Sequence, residues 1–205
     1  MKQAKRWKSL PVDQTRRYLE PGPVVLLSTA HRGERAIMTL GWHMMLGYDL
    51  VGTYIWDANR SHALARASRE CVINLPTEDL LDTVVRISNC SSTEQDKFER
   101  FGLTPLSSRE VGAPRIAECH AQFECRLHET RITADYPLFV WRVVAAHVAP
   151  SPRIPRTVHY RGDGRFMIAG REVSPAPAVP AGHAGAVSVS ACAWPRAACL
   201  RGSRR

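Results

Sequence analysis

Three stretches of the chain set small hydroxyl- or amide-bearing residues beside a bulky aromatic or a cation. In "YIWDANRSHA" (54–63), Asn59, Arg60 and Ser61 follow Trp56 and immediately precede a helical pattern. An amide, a guanidinium and a hydroxyl at a helix N-terminus, together with the free N–H groups of that terminus, suit a phosphate. The same residues also read as an ordinary helix cap with a solvated arginine. In "NCSSTEQDKFERFGL" (89–103), Asn89, Cys90, Ser91 and Ser92 feed into a second predicted helix that carries Lys97. That run either solvates itself or wraps a polar ligand with hydroxyls and backbone amides. In "MTLGWHMM" (38–45), Thr39, Leu40, Gly41 and Trp42 form a strand edge whose glycine leaves a gap at the main chain. A planar ring could approach there, although a strand glycine is also the mark of a bulge.

Other chemistries find little support. No Gly-x-Ser-x-Gly, Walker-type or Gly-x-Gly-x-x-Gly pattern is present, so acyl transfer and Rossmann-type dinucleotide binding lack a motif. His31, His120, His128 and His147 do not fall into metal-ligand spacing. The six cysteines, Cys71, Cys90, Cys119, Cys125, Cys192 and Cys199, are scattered and read as free thiols of a reducing compartment. Cys90, in a polar loop before a helix, could serve as a nucleophile. No histidine is placed as its partner, which favours a ligand-lining role. The net charge of +9 invites a nucleic-acid reading. Arg196, Arg201, Arg204 and Arg205 supply +4 of it in a stretch without acids, and the remaining basic residues do not interleave with aromatics as single-strand binders require. No apolar run is long enough to cross a bilayer, and the N-terminal residues lack a signal-peptide core. The expectation is therefore a cytoplasmic protein with no nucleic-acid or membrane partner.

The elements that would position these residues are mostly strands. Residues 1–20 read as a helical lead-in, and residues 21–173 carry the patterns of one folded domain. Residues 174–205, rich in Ala, Pro, Gly, Ser and Arg, have the composition of a disordered basic tail. "PVVLLST" and "AIMTLGWH" flank a turn at Gly33 and read as a hairpin. "LVGTYIWD", "CVINLP", "QFECRLHE" and "PLFVWRVVAAHV" are further strands, with Phe123, Cys125 and Leu127 on one face and Glu124, Arg126 and His128 on the other. Helices are predicted at "SHALARASRE", with Leu64, Ala67 and Ser68 along one side, at "TEDLLDTVVRI" from Thr77, and at "TEQDKFERF" from Thr93 to the stop at Gly102. Short strands with few helices point to an antiparallel barrel or sandwich.

Taken in order, "EPGPVVLLST", "IMTLGWHMM", "NRSHALARASRECVINLPT", "SNCSSTEQDKFERFGLTPL", "APRIAECHAQFECRL" and "PRTVHYRGDGRFMIAGREV" give the chain a resemblance to the flavin reductase-like FMN-binding proteins, and within them to the flavoredoxin-type branch. The resemblance covers roughly residues 10–173. It implies a mainly β fold, a six-stranded antiparallel split β-barrel of Greek-key type, forming a homodimer with FMN at the subunit interface. Mapped onto this chain, Thr39, Leu40, Gly41 and Trp42 would lie along the flavin ring or ribityl chain, near Trp56. Asn59, Arg60 and Ser61 would meet the phosphate, and Asn89, Cys90, Ser91, Ser92 and Lys97 would close the other side. Family members often carry Ser-Gly-Arg-Asp where this chain has Ser91 to Glu94, "SSTE", which removes a glycine and an arginine. The implied activity is hydride transfer from NADH or NADPH to FMN and onward to an acceptor, with the flavin carrying the chemistry. His159, in "TVHYRGDG", is the candidate for shaping the nicotinamide side. Two alternatives stay open: an FMN electron carrier serving a redox protein without nicotinamide turnover, and a flavin- or haem-binding module without catalysis.

Overall fold

The structure, a computed structural model, describes residues 7–15, 22–90, 96–129, 136–162 and 164–173. The chain divides into two units, Met1–Gly170 and Arg171–Arg205. The proposed tail, 174–205, lies outside the described residues. The first unit contains the strands Lys8–Leu10 (β1), Val25–His31 (β2), Glu34–Leu40 (β3), His43–Met45 (β4), Leu50–Tyr54 (β5), Glu70–Leu75 (β6), Pro105–Leu106 (β7), Arg115–Ile116 (β8), Ala121–Glu129 (β9), Leu138–Val148 (β10), Val158–Tyr160 (β11) and Phe166–Ile168 (β12). Its helices are Arg60–Ser68 (α1), Leu81–Ser88 (α2) and Lys97–Arg100 (α3).

A curled antiparallel sheet runs in the order β3-β2-β6-β9-β10-β5-β4, and β1 joins β10 end to end with β5. The six strands from β3 to β5 in that order form the mainly β split barrel expected from the sequence. The three-residue strands β1 and β4 extend it. Over residues 7–15, the described part of the expected helical lead-in, the expectation is corrected: Lys8–Leu10 is a strand because Ala146–Val148 offers it an unpaired edge. Val12–Thr15 is a short 3-10 turn.

Both faces of the sheet are covered, which explains the unbroken apolar run in β2. Val25 and Leu27 of β2 join Leu40, Cys71, Ile73, Leu75, Phe123, Phe139 and Trp141 in the inner core, which α1 closes with Ala65. Val24, Leu26 and Ile37 face the other way, against Val84 and Ile87 of α2 and Phe98 of α3. Each fully buried side chain of this size contributes about 1.5–3 kcal/mol. The outer face also carries polar residues with defined partners. Asn74 Oδ1 accepts from the Ile116 amide at 2.9 Å, and Gln122 Nε2 donates to the Ile116 carbonyl at 3.0 Å. Glu124, fully buried, accepts from the amides of Arg109 and Glu110 at 3.0 and 2.6 Å and meets His147 Nε2 at 2.8 Å. These bonds fasten the long connection before β9 to the sheet.

Two turns fix the strand and helix ends nearest the candidate site. Arg32 and Gly33 both have positive φ, 49° and 84°, the signature of a two-residue hairpin turn with the twist of its flanking strands. Helix α3 begins at Asp96, whose side chain accepts from the Phe98 amide at 2.8 Å, and stops at Gly102 with φ 61°. The expected start at Thr93 lies outside the described residues. Helix α1 runs from Arg60 and buries Ser61, His62, Leu64 and Ala65; Ala67, expected along one side with Leu64 and Ser68, is exposed.

Candidate functional site

A cleft of about 310 Å³ opens where three helix ends meet the inner face of β3. It is lined by Met38, Ala58, Asn59, Arg60, Ser61, Ser88, Asn89, Cys90 and Lys97. The chain reaches it from the N-terminus of α1, the C-terminus of α2 and the start of α3. Asn59, Arg60 and Ser61 and, about thirty positions on in sequence, Asn89, Cys90 and Lys97 therefore face one space.

The α1 end of the cleft is poor in internal partners. Asn59 is extended at the cap position, but its side chain donates to the Trp56 carbonyl at 3.2 Å and makes no cap bond. The first turn of α1 holds no acidic residue, so its positive dipole end is uncompensated there. Ser61 is 1% exposed, and its Oγ has no hydrogen-bond partner among the described residues. A buried hydroxyl without a partner costs about 1–3 kcal/mol, which a ligand atom in the cleft would relieve. Arg60 stands at the rim, half-exposed, paired with Glu34 of the β2–β3 hairpin.

On the other side, Lys97 is 5% exposed and its Nζ donates to the Ile87 carbonyl at 3.1 Å. Burial holds its ammonium below the usual lysine range; Cys90 opposes that lowering and Arg100 adds to it. Cys90 Sγ lies 3.7 Å from the same Ile87 oxygen. The helix carrying Lys97 is anchored by Arg35 of β3, whose Nε donates to Asp96 at 2.6 Å and whose guanidinium lies 4.7 Å from the centre of the Phe98 ring.

Six of the residues expected from the sequence thus share the cleft: Asn59, Arg60, Ser61, Asn89, Cys90 and Lys97. Ser91 and Ser92 lie outside the described residues. Thr39, Leu40, Gly41, Trp42 and Trp56 are not among the lining residues. Leu40 is buried in the inner core, and the Thr39 hydroxyl is taken by the Val84 carbonyl. Gly41 has open space where a side chain would stand, while Trp42 and Trp56 are 73% and 62% exposed. His159 is 7% exposed, with Nε2 2.9 Å from Thr157 Oγ1, and it does not line the cleft.

Met38, Ala58 and Ser88 line the cleft without having been read as site residues. Ser88 directly precedes the Asn89–Cys90 run and was within reach of that pattern. Met38 looked like an ordinary core residue of an alternating strand. Among the described residues, no group of three or more His, Cys, Asp or Glu side chains could hold a metal ion, and no helix is long and apolar enough to cross a membrane.

Beyond the cleft, the β4–β5 edge bears an apolar face. Trp42 lies opposite Tyr54, with ring centres 5.4 Å apart. Met44 and Leu46 cover Gly52, where an added Cβ would lie 3.1 Å from Leu46 Cδ1 and 3.5 Å from Met44 Cγ. All four are substantially exposed.

Known proteins of this architecture are similar along most of the folded unit. An FMN-binding domain of a flavin reductases-like enzyme from Shewanella baltica OS155 superposes with a TM-score of 0.78 at 21% identity, over 84% of this chain and 99% of that one. Flavoredoxin of Desulfovibrio vulgaris (Miyazaki F) gives 0.68 at 20% identity, over 76% of this chain and 90% of its own. In sequence, a protein of Archaeoglobus fulgidus is 33% identical over 110 residues, which cover 53% of this chain and 62% of that relative's length. The family model described as "Flavin reductase like domain" matches residues 16–166, most of the chain and all of the cleft. The chain belongs to the flavin reductase like domain family.

Proposed function

We propose that the chain is an FMN-dependent oxidoreductase of the flavin reductase type, with the FMN phosphate in the cleft between α1 and α3. The observation that carries this reading is Ser61: a buried hydroxyl that, among the described residues, has no partner, beside a helix N-terminus that Asn59 does not cap with its side chain. A phosphate suits both, because its oxygens accept from the hydroxyl and from the first amides of α1. Lys97 supplies a buried positive charge on the facing side, and Arg60 a second at the rim. FMN bound there would supply two-electron redox chemistry between a nicotinamide, NADH or NADPH, and an acceptor.

The protein's part is to bind and to orient. Ser61 and the α1 amides fix the anionic end, while Asn89 and Cys90 close the wall opposite the β3 side. Gly41 and Trp42 lie on open surface at the end of β3, outside the cleft. We propose that a second copy of the chain covers the apolar face of Trp42, Met44, Leu46 and Tyr54 in a homodimer and walls the ring-binding side. A continuous exposed patch of this kind marks an interaction surface.

The test compares FMN with riboflavin, which lacks the phosphate. Ser61→Ala and Arg60→Ala are each expected to weaken FMN by about tenfold to a hundredfold, the loss of one charge-assisted bond, and to leave riboflavin nearly unchanged. Equal losses for both flavins would sink the phosphate assignment. Bleaching of the bound-flavin absorbance by NADH or NADPH separates a reductase from an electron carrier. A flavin that stays oxidised with both would favour the carrier.

A further inference from the structure

Lys97 reaches the cleft from a helix of four residues, Lys97–Arg100, too short to hold a side chain in place by itself. Strand β3 supplies the support. Arg35 meets the residues on both sides of Lys97. Its Nε donates to Asp96 Oδ2 at 2.6 Å, and its Nη2 lies 2.6 Å from the same oxygen. Its guanidinium carbon lies 4.7 Å from the centre of the Phe98 ring, which is 1% exposed. The second Asp96 oxygen, Oδ1, caps the helix by accepting from the Phe98 amide at 2.8 Å. Asp96 thus serves the helix with one oxygen and β3 with the other. β3 is an edge strand of the sheet, with α1 packed on its inner face and α3 on its outer one. Its adjacent residues act on the two cations of the cleft in different ways. Glu34 pairs with Arg60 and occupies it. Arg35, itself a cation, holds the neighbours of Lys97 without occupying its ammonium.

We propose that Arg35 is a positioning residue for anion binding: it holds Asp96 and Phe98 so that the Lys97 side chain stands in the cleft wall before a ligand arrives. An arginine suits the task, because its planar group meets a carboxylate with its edge and a ring with its face. A lysine side chain has many rotamers, and fixing them on binding costs affinity. Here that ordering is done in advance, by contacts within the fold. Anion affinity then depends on a residue that does not line the cleft, an inference that rests on the cleft being the phosphate site. It also gives neighbouring positions of β3 opposite effects on a bound phosphate. Glu34 competes with the ligand for Arg60, whereas Arg35 assists it through Lys97.

The experiment measures dissociation constants of the full chain for FMN, riboflavin and inorganic phosphate, with thermal melts recorded alongside. Arg35→Met is expected to weaken FMN by about three- to tenfold, the cost of ordering one long side chain, and riboflavin by less than about twofold. Asp96→Asn keeps a cap acceptor and removes the ion pair. It is expected to reproduce the loss, and it decides the matter if Arg35→Met does not fold. On a Lys97→Met background either change should cost FMN less than about twofold, because the group being positioned is gone. Equal losses for both flavins, or no loss, overturn the proposal. So does a full loss that persists beside Lys97→Met, which would mean that Arg35 attracts the phosphate by its own charge. A chain that binds no FMN, but binds inorganic phosphate about three- to tenfold more weakly after Arg35→Met, refutes the flavin reading and supports this one. A chain that binds neither overturns both.

Discussion

Thr39 Oγ1 donates to the Val84 carbonyl oxygen at 2.8 Å, tying β3 to the helix whose C-terminus supplies Ser88 and Asn89 to the cleft. The residue expected to lie along the flavin ring or ribityl chain thus gives its hydroxyl to α2. Thr39→Val keeps the shape and removes the donor. It should lower the unfolding free energy by about 1 kcal/mol in urea titrations. A larger effect on flavin affinity than on stability would show that the hydroxyl contacts ligand after all.

Glu34 occupies the Arg60 guanidinium at the cleft rim. An incoming phosphate must share or displace it. Glu34→Gln should therefore tighten FMN by about two- to fivefold at low salt, the range of an exposed ion pair, with riboflavin unaffected. Fluorescence titration of both flavins reads the difference, and added salt should erase it.

Acid should loosen the connection before β9. Burial alone would raise the Glu124 carboxyl, but the bonds from Arg109, Glu110 and His147 override it and hold the group below the usual glutamate range. A carboxyl lowered in the folded state adds stability that is complete above its unfolded value, about 4.3, and is lost as pH falls through the folded value. Urea midpoints should thus drop below about pH 4. Glu124→Gln should cost about 3 kcal/mol at pH 7 and flatten that acid limb, because it leaves Arg115 and His147 facing a neutral group.

If the β4–β5 face is where two copies meet, a charge there separates them. Trp42→Asp is expected to convert a dimer into a monomer by light scattering, with a matching loss of flavin. A chain that is monomeric before the change and binds flavin fully would dismiss the homodimer.

The hairpin, the alternation in β9 and the helix stop at Gly102 were legible because each depends on neighbours in sequence. The gathering of Asn59–Ser61 with Asn89, Cys90 and Lys97 was legible only through resemblance, since no local pattern links segments thirty residues apart. Three things were hidden. The Lys8–Leu10 strand exists because a free edge of β10 lies beside it. Glu124 alternates like a surface residue, yet it is buried, because a long connection supplies it with amides. The Thr39 hydroxyl and the His159 ring point to protein partners that only the packed chain could identify.

The two-residue turn at Arg32 and Gly33 locks His31 opposite Glu34, and with it every pair back to Val25 opposite Leu40. Side chains alternate with period two, so a slip of β3 by one residue past β2 would exchange its two sides. Met38 would leave the cleft, and Thr39 would turn away from α2. Arg35 would lose Asp96. The turn thus sets a parity for the whole site: a β3 held one residue out of register would build this wall of the cleft from different side chains.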